Sequence, residues 1–352
     1  MSELTIDGRR IGDNEPAYVI AEIGGNHGGN LDTATAMIRM AATCGVSAVK
    51  LQKRDNANLY TQALLDEPYA NENSFGATYG EHRAALEFGR EEYRICQSVA
   101  QARKVTLFAT AFDERSADFL MELEVPAIKI ASGDLTNTPL LKHVSTFGVP
   151  IVVSTGGGSE TDIERAVSAL GRAQIALLHC TASYPVRNFA ELNLRCILAL
   201  RHRYPECVIG WSGHDTGIAM ALVAYALGAR IIEKHVTLDR SSKGTDHAFS
   251  LEPAGLKRLV RDLERARVAV GDGIKVRYPS EEGPLRKMAK SLVAAHALRA
   301  GSVIHEGDLV TKSPAGGLPP YLRDALIGFP LAKDLGFDEA VTHAHIKGEV
   351  AS

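Results

Sequence analysis

The chain has 352 residues, 45% of them hydrophobic and 23% charged, with a formal net charge of −3, which is enough apolar material for a large core. Its 39 basic residues are scattered and outnumbered by 42 acidic ones, so no electrostatic footprint for nucleic acid or an anionic membrane is present, and any anionic partner must be small and locally held. No apolar run approaches the roughly 18 residues that span a bilayer, and the opening MSELTIDGRR carries no apolar signal core, so a cytoplasmic protein is expected.

Short β-rich runs alternate with helical patterns along most of the chain. YVIAEIG (18–24) precedes an amphipathic stretch at 31–45, and SAVKLQ (47–52) leads into a connection, 53–90, too long and too rich in polar and aromatic residues for a plain loop. That connection is expected to fold over one end of the barrel as a lid. A helical pattern at 91–103 then feeds TLFATAF (106–112), followed by AIKIAS (127–132) and PIVVSTG (150–156), a capped helix at 159–171, and IALLHC (175–180). VIGWSGH (208–214), a helix at 217–228 and RIIEKHVT (230–237) complete the series. Near-continuous apolar strands separated by helices mean a parallel sheet covered on its outside. Eight repeats with no GxGxxG after the first strand predict an α/β fold, a closed (β/α)8 TIM barrel over 1–272. Residues 273–289, rich in Gly, Pro and charge, read as a linker, and 290–352, broken by turn residues, as a small, mostly β domain. Cys44, Cys96, Cys180, Cys196 and Cys207 are widely spaced without a CxxC pair and read as small buried hydrophobes.

In such a barrel the chemistry sits at the C-terminal strand ends. Those ends carry Glu22; Lys50 and Gln52; Thr110; Lys129, Ser132 and Asp134; Ser154 and Thr155; His179 and Thr181; Ser212 and His214; and Glu233, Lys234 and His235. Polar groups are costly to bury without partners, so a polar residue at every exit points to an enzyme. Alternation with apolar neighbours turns Lys50 and Lys129 inward, where with the hydroxyls of Thr110, Ser132, Ser154 and Ser212 they suit phosphate and carboxylate. The alternative is that either lysine pairs structurally with Glu22 or Glu233. His214 and His235 close adjacent strands, so their imidazoles can converge on a divalent metal that keeps open positions for substrate oxygens. His179 reads as structural. Asn26 and His27 lie in the glycine-rich GGNHGGN, which lets backbone approach a ligand closely.

AEIGGNHGGNLDTA, AVKLQ, FATAF, IKIASGD, VVSTGG, LHCTASYP, GWSGHDTG, IEKHVTLD and KGTDHAFSLEP resemble, in order, the signature segments of the sialic acid synthases, and the C-terminal region resembles their antifreeze-like SAF domain. The resemblance spans essentially the whole chain. It implies condensation of phosphoenolpyruvate with an N-acetylmannosamine-type sugar to a nonulosonic acid and phosphate, using Mn2+ or Mg2+. It also implies a domain-swapped homodimer in which each SAF domain caps the partner's barrel. By motif, Lys50, Thr110, Lys129, Ser132, Ser154 and Ser212 would hold phosphoenolpyruvate, and His214 and His235 the metal. Glu22, Gln52, Phe112, Asp134, Tyr184 and Asp246 would face the sugar or the attacking water. Three positions depart from many bacterial members: Asp134 stands in place of Glu, Gly157 in place of Met, and Ser313 in place of an SAF-domain Arg that contacts the N-acetyl group. LDEPYANENSFGATYGEHRAALEF and SGDLTN instead resemble the animal-type enzymes, whose acceptor is N-acetylmannosamine 6-phosphate; Arg54, His82, Arg83 and Lys243 would be counterions for that phosphate, or else simply solvated charges on a long loop.

Related nonulosonic acids, of the legionaminic, pseudaminic or spore-coat polysaccharide type, share most of these motifs. A Schiff-base pyruvate aldolase using Lys129 or Lys50 is the rival enzyme class, and a carbohydrate- or ice-binding protein on a vestigial barrel is the non-catalytic one.

Overall fold

The computed structural model describes residues 2–348. It opens with an antiparallel pair, β1 (Leu4–Ile6) and β2 (Arg9–Ile11). Eight parallel strands follow: β3 (Tyr18–Glu22), β4 (Ala48–Lys53), β5 (Thr106–Ala111), β6 (Ile128–Ile130), β7 (Ile151–Ser154), β8 (Ile175–Cys180), β9 (Val208–Gly213) and β10 (Ile231–His235). They pair in sequence order, and β10 closes on β3 with His235 opposite Glu22. Each coincides with one of the eight runs read from sequence. Every residue of β3, β5, β8, β9 and β10 is buried, as both-face coverage requires.

Local chemistry fixes the helix ends. Asn30 accepts from the Thr33 amide at the start of Leu31–Cys44, and Gly45 ends that helix in the left-handed region at φ 85°. Ser159 and Asp162 form a reciprocal capping box for Glu160–Leu170.

Two features went unread in the sequence or differ from the reading of it. The β1–β2 hairpin turns on Asp7 and Gly8, both at positive φ, the Asp-Gly signature of a tight hairpin. It adds Leu4, Ile6 and Ile11 to the barrel's apolar core, and Asp7 accepts from the Thr106 hydroxyl at 3.0 Å where β5 begins. The 53–90 connection contains three short helices, Asn56–Leu59, Gln62–Leu65 and Tyr79–Leu86. Lys53 anchors it by donating to Glu87 and to the Phe88 carbonyl. Gly29 is needed for this packing: a Cβ there would stand 1.9 Å from the Ala85 carbonyl oxygen. In GGNHGGN the close approach at Gly29 is therefore made by a neighbouring helix end.

The chain divides into two compact units, Met1–Gly271 and Asp272–Ser352. The second begins with the stretch read as a linker, which carries a short helix, Glu282–Met288. Beyond it β11 (Ser291–Ala294) and β12 (Leu309–Lys312) pair antiparallel. Isolated bridges such as Leu298 with Leu335 and Leu331 with Ile346 wrap a separate core of Leu292, Ile304, Leu318, Leu326 and Val341. All five cysteines are free, and all but Cys196 are buried. Among the described residues no helix is long and apolar enough to cross a membrane.

Candidate active site

The C-terminal ends of the barrel strands enclose a cavity of about 290 Å³. Its lining includes Glu22, Lys50, Gln52, Thr110, Phe112, Lys129, Ser132, Ser154, Tyr184, Ser212, His214, His235 and Asp246, joined by Glu233, Arg54, Arg83 and Thr245. Side chains two apart on one strand, Lys50 with Gln52 and Glu233 with His235, share the inward face because strand residues alternate.

Buried charge is concentrated in this cavity. Lys50 Nζ lies 2.5 Å from Glu22 Oε2 and 3.9 Å from Glu233 Oε2, and donates to Thr110 Oγ1 at 2.8 Å. Gln52 donates to the other Glu22 oxygen at 2.7 Å. Lys129 donates to Ser154 Oγ at 2.6 Å and to the Ile130 carbonyl at 2.8 Å, and its burial pulls the ammonium pKa down. Glu233 accepts from Ser212 at 3.1 Å. Burial opposes its ionisation, but Lys50, Lys129 and His235 outweigh that and hold its carboxyl below the ordinary range. The Lys50–Glu22 ion pair weighed from sequence as a structural alternative thus exists, and both of its partners line the cavity.

The two histidines face each other with ring centroids 5.4 Å apart. Burial, reinforced by His235, pushes the His214 pKa down to about 3, so its imidazole is neutral. Its Nδ1 donates to the Thr181 carbonyl at 3.0 Å, which leaves Nε2 as the lone-pair nitrogen. His235 Nδ1 is buried without a hydrogen-bond partner and lies 3.6 Å from Asp246 Oδ2. A neutral, oriented imidazole beside an orphaned ring nitrogen fits a divalent cation. Among the described residues no three His, Cys, Asp or Glu side chains converge as a closed cage, so oxygen donors from substrate or water would complete such a site.

Toward the rim the lining becomes cationic. The Arg54 side chain is 10% exposed and lies over the Phe112 ring at 3.7 Å. It donates to Gln52 Oε1 at 2.7 Å and has its Nε buried and unpartnered. Arg83, on the inserted helix Tyr79–Leu86, donates to Tyr79 Oη at 2.9 Å. A smaller adjoining pocket of about 40 Å³ shares Gln52, Arg54, Arg83, Thr245 and Asp246 and adds His82 and His27. Lys243 sits over Phe75, which also lines that pocket, and the neighbouring Gly244 amide donates to Asn73. Neither Arg83 nor Lys243 has a carboxylate within 4.0 Å among the described residues.

The other sequence candidates stand outside the main cavity, although Asn26 and His27 line the smaller adjoining pocket. Asp134 is buried, accepts from Asn137 at 3.0 Å, and has its pKa raised by burial. Asn26 ties the Val236 carbonyl to the Ser250 hydroxyl, His27 stacks on Phe88, and His179 bonds the Leu192 carbonyl. Ser313, in the second unit, accepts from Lys290 and donates to the Met288 carbonyl.

Residues 37–275 match the family described as the NeuB family. The chain belongs to the NeuB family. It is 38% identical to the N-acetylneuraminate-9-phosphate synthase of Homo sapiens over 91% of this chain and 90% of that protein. It is 35% identical to the N,N'-diacetyllegionaminic acid synthase of Campylobacter jejuni over 92% of this chain and 98% of that one. Among solved structures, the N-acetylneuraminic acid synthetase of Leptospira borgpetersenii superposes with a TM-score of 0.71 at 36% identity, covering 81% of this chain and 95% of that one. In this NeuB-family chain Glu233, read from sequence only as a strand-end residue or a structural partner of a lysine, lines the cavity 3.9 Å from Lys50 Nζ and accepts from Ser212. The signal was present, since Glu233 stands two residues before His235 on the same strand face.

Proposed function

We propose that this NeuB-family enzyme condenses phosphoenolpyruvate with an N-acetylmannosamine-type sugar bearing a 6-phosphate, giving a nonulosonic acid 9-phosphate and inorganic phosphate. The observation that carries the donor half is the pair of buried lysines, Lys50 and Lys129, set among the hydroxyls of Thr110, Ser132, Ser154 and Ser212 beside two convergent imidazoles. Such a pocket binds the carboxylate and phosphate of phosphoenolpyruvate and excludes bulk water from the reacting carbons. The acceptor half rests on Arg83 and Lys243, cations with no carboxylate partner, next to the unpartnered Nε of Arg54. An acceptor without a phosphate would leave that charge uncompensated.

C3 of phosphoenolpyruvate forms a bond to the aldehyde carbon of the open-chain sugar, whose oxygen takes up a proton. The cationic C2 left behind is captured by water. The resulting tetrahedral centre expels phosphate with cleavage of the C–O bond, so one water is consumed and one phosphate released. Glu22, fixed by Lys50 and Gln52, positions that water and takes its proton. Tyr184 and Asp246 face the sugar. His214 and His235 would hold Mn2+ or Mg2+, which when bound supplies a Lewis acid for the aldehyde oxygen. A homodimer, with the C-terminal unit of each subunit serving the other's barrel as an SAF-type cap, belongs to the same proposal, as does a cytoplasmic location.

The test is phosphate release from phosphoenolpyruvate with N-acetylmannosamine, its 6-phosphate and 2,4-diacetamido hexoses, with Mn2+ or Mg2+ present. The 6-phosphate is expected to give the highest kcat/KM, by at least tenfold. Equal use of the free sugar would overturn the phosphate reading, and preference for a diacetamido hexose would move the product to the legionaminic class. No phosphate release with any acceptor would overturn the condensation itself.

A further inference from the structure

Pairing between β9 and β10 stops just short of the two histidines, although His235 still pairs with Glu22 of β3 on its other side. β9 and β10 are in register up to Gly213 opposite Lys234, and His214 and His235 stand one residue beyond that last registered pair. A side chain spans the next step. Lys234 Nζ donates to Asp215 Oδ1 at 2.9 Å and to the Asp215 backbone carbonyl at 2.6 Å. Asp215 directly follows His214, and Lys234 directly precedes His235, so this clamp joins the two chain segments that carry the imidazoles.

The clamp lies on the other face of the strand from Glu233 and His235, and it is built in. Both side chains are 1% exposed. The ammonium sits over the Trp211 ring at 5.4 Å, and that ring lies against Gly213, where an added Cβ would stand 2.0 Å from it. Stability is a weak reason to keep a charge pair here, because well-packed apolar side chains often do as well as a fully buried pair once desolvation is counted. A pair of this kind does impose one arrangement on the groups it joins. His214 has a second restraint, the bond from its Nδ1 to the Thr181 carbonyl. The Nδ1 of His235 has no such bond; its ring packs against Phe249 and lies 3.6 Å from Asp246 Oδ2, so its placement leans more on its backbone than that of His214.

We propose that Lys234 and Asp215 are positioning residues that set the separation of His214 and His235 and thereby the affinity of the metal site. The proposal rests on the reading that these imidazoles hold the divalent ion. Its test is Mn2+ binding to the full chain, measured by the EPR signal of free Mn2+, alongside the Tm of the metal-free protein. The double variant Lys234→Met/Asp215→Leu removes both charges and strands neither. It is expected to melt within a few degrees of the unaltered protein and to bind Mn2+ at least tenfold more weakly, with kcat recovering as Mn2+ is raised to saturation. A merely structural role would move Tm and would not be rescued by metal. If the double variant does not fold, Lys234→Gln, which keeps a donor to Asp215 without the charge, is expected to weaken Mn2+ binding several-fold. Mn2+ affinity within twofold of the unaltered protein, in whichever variant folds, overturns the positioning role alone. Failure of the unaltered protein to bind Mn2+ overturns the metal reading and this proposal with it.

Discussion

Glu22 is held at both oxygens, by Lys50 at 2.5 Å and by Gln52 at 2.7 Å, so its position does not depend on its charge alone. Glu22→Gln keeps the shape and removes the base. Turnover is expected to fall about 100-fold or more, the usual yield of a positioned general base, while the KM for phosphoenolpyruvate stays within a few-fold because Lys50 still has Thr110. Unchanged kcat would remove Glu22 from this role. Arg83→Ala separates the two substrates differently. Loss of one hydrogen bond to a charged group costs about 1.5–3 kcal/mol, so the KM for the 6-phosphorylated sugar should rise roughly 10- to 150-fold with phosphoenolpyruvate unaffected. An equal rise for the free sugar would mean that Arg83 does not read the phosphate. Lys129 tests the aldolase alternative, because burial lowers its pKa as a Schiff-base lysine requires. Its Nζ is committed to Ser154 and the Ile130 carbonyl, so borohydride with pyruvate is expected to leave mass and activity unchanged. Most of this site could be read from the sequence because period-two alternation places strand-end residues on one face. Asp134, expected from sequence to face the sugar, is not part of the cavity lining because that period ends with β6: Ser132–Asp134 is a turn of 3-10 helix, in which Asp134 accepts from Asn137.

At the level of elements, apolar periodicity located the strands and most helices, but ties between distant segments leave no local signal. Asp13, just beyond the β1–β2 hairpin, accepts from both terminal nitrogens of Arg201 at 2.9 Å and from Arg230 Nε at 2.8 Å. It therefore links the hairpin segment to the helix Cys196–Arg203 and to the entry of β10. Nothing near residue 13 in the sequence names partners 188 and 217 residues away. The hydrogen bond from Arg201, with the charges of both arginines, holds the Asp13 carboxyl below its ordinary value of 3.8. A carboxyl depressed on folding contributes stability above its unfolded value and loses it as the pH falls through the folded one. Asp13→Asn is therefore expected to melt about 2 °C lower at neutral pH, the effect of roughly 1 kcal/mol on a unit of this size. The two proteins should converge as the pH drops below 3.8. Parallel melting curves across that range would show that the clamp carries no ionic stability.

Over the whole molecule, the eightfold repeat was visible in the sequence because each strand is a nearly continuous apolar run. The charge that matters was not visible, since the cations of one cavity vanish within a near-balanced total of 39 and 42. Assembly is the remaining question at this scale, and the segment around the boundary between the units bears on it. Ile274, Val276, Tyr278 and Met288 are all exposed near the start of the second unit, and exposed apolar side chains of that kind suit the homodimer proposed above. The full chain is therefore expected to sediment as a dimer, and Ile274→Asp/Val276→Asp to shift it toward monomer. Each unit has its own core, so residues 1–271 should fold alone. If each C-terminal unit serves the partner's barrel, that fragment should bind Mn2+ as the full chain does, because His214, His235, Lys234 and Asp215 all lie within it. Its KM for the sugar should rise at least tenfold. A fragment that dimerises and turns over both substrates like the full chain would show that the C-terminal unit takes no part in the site.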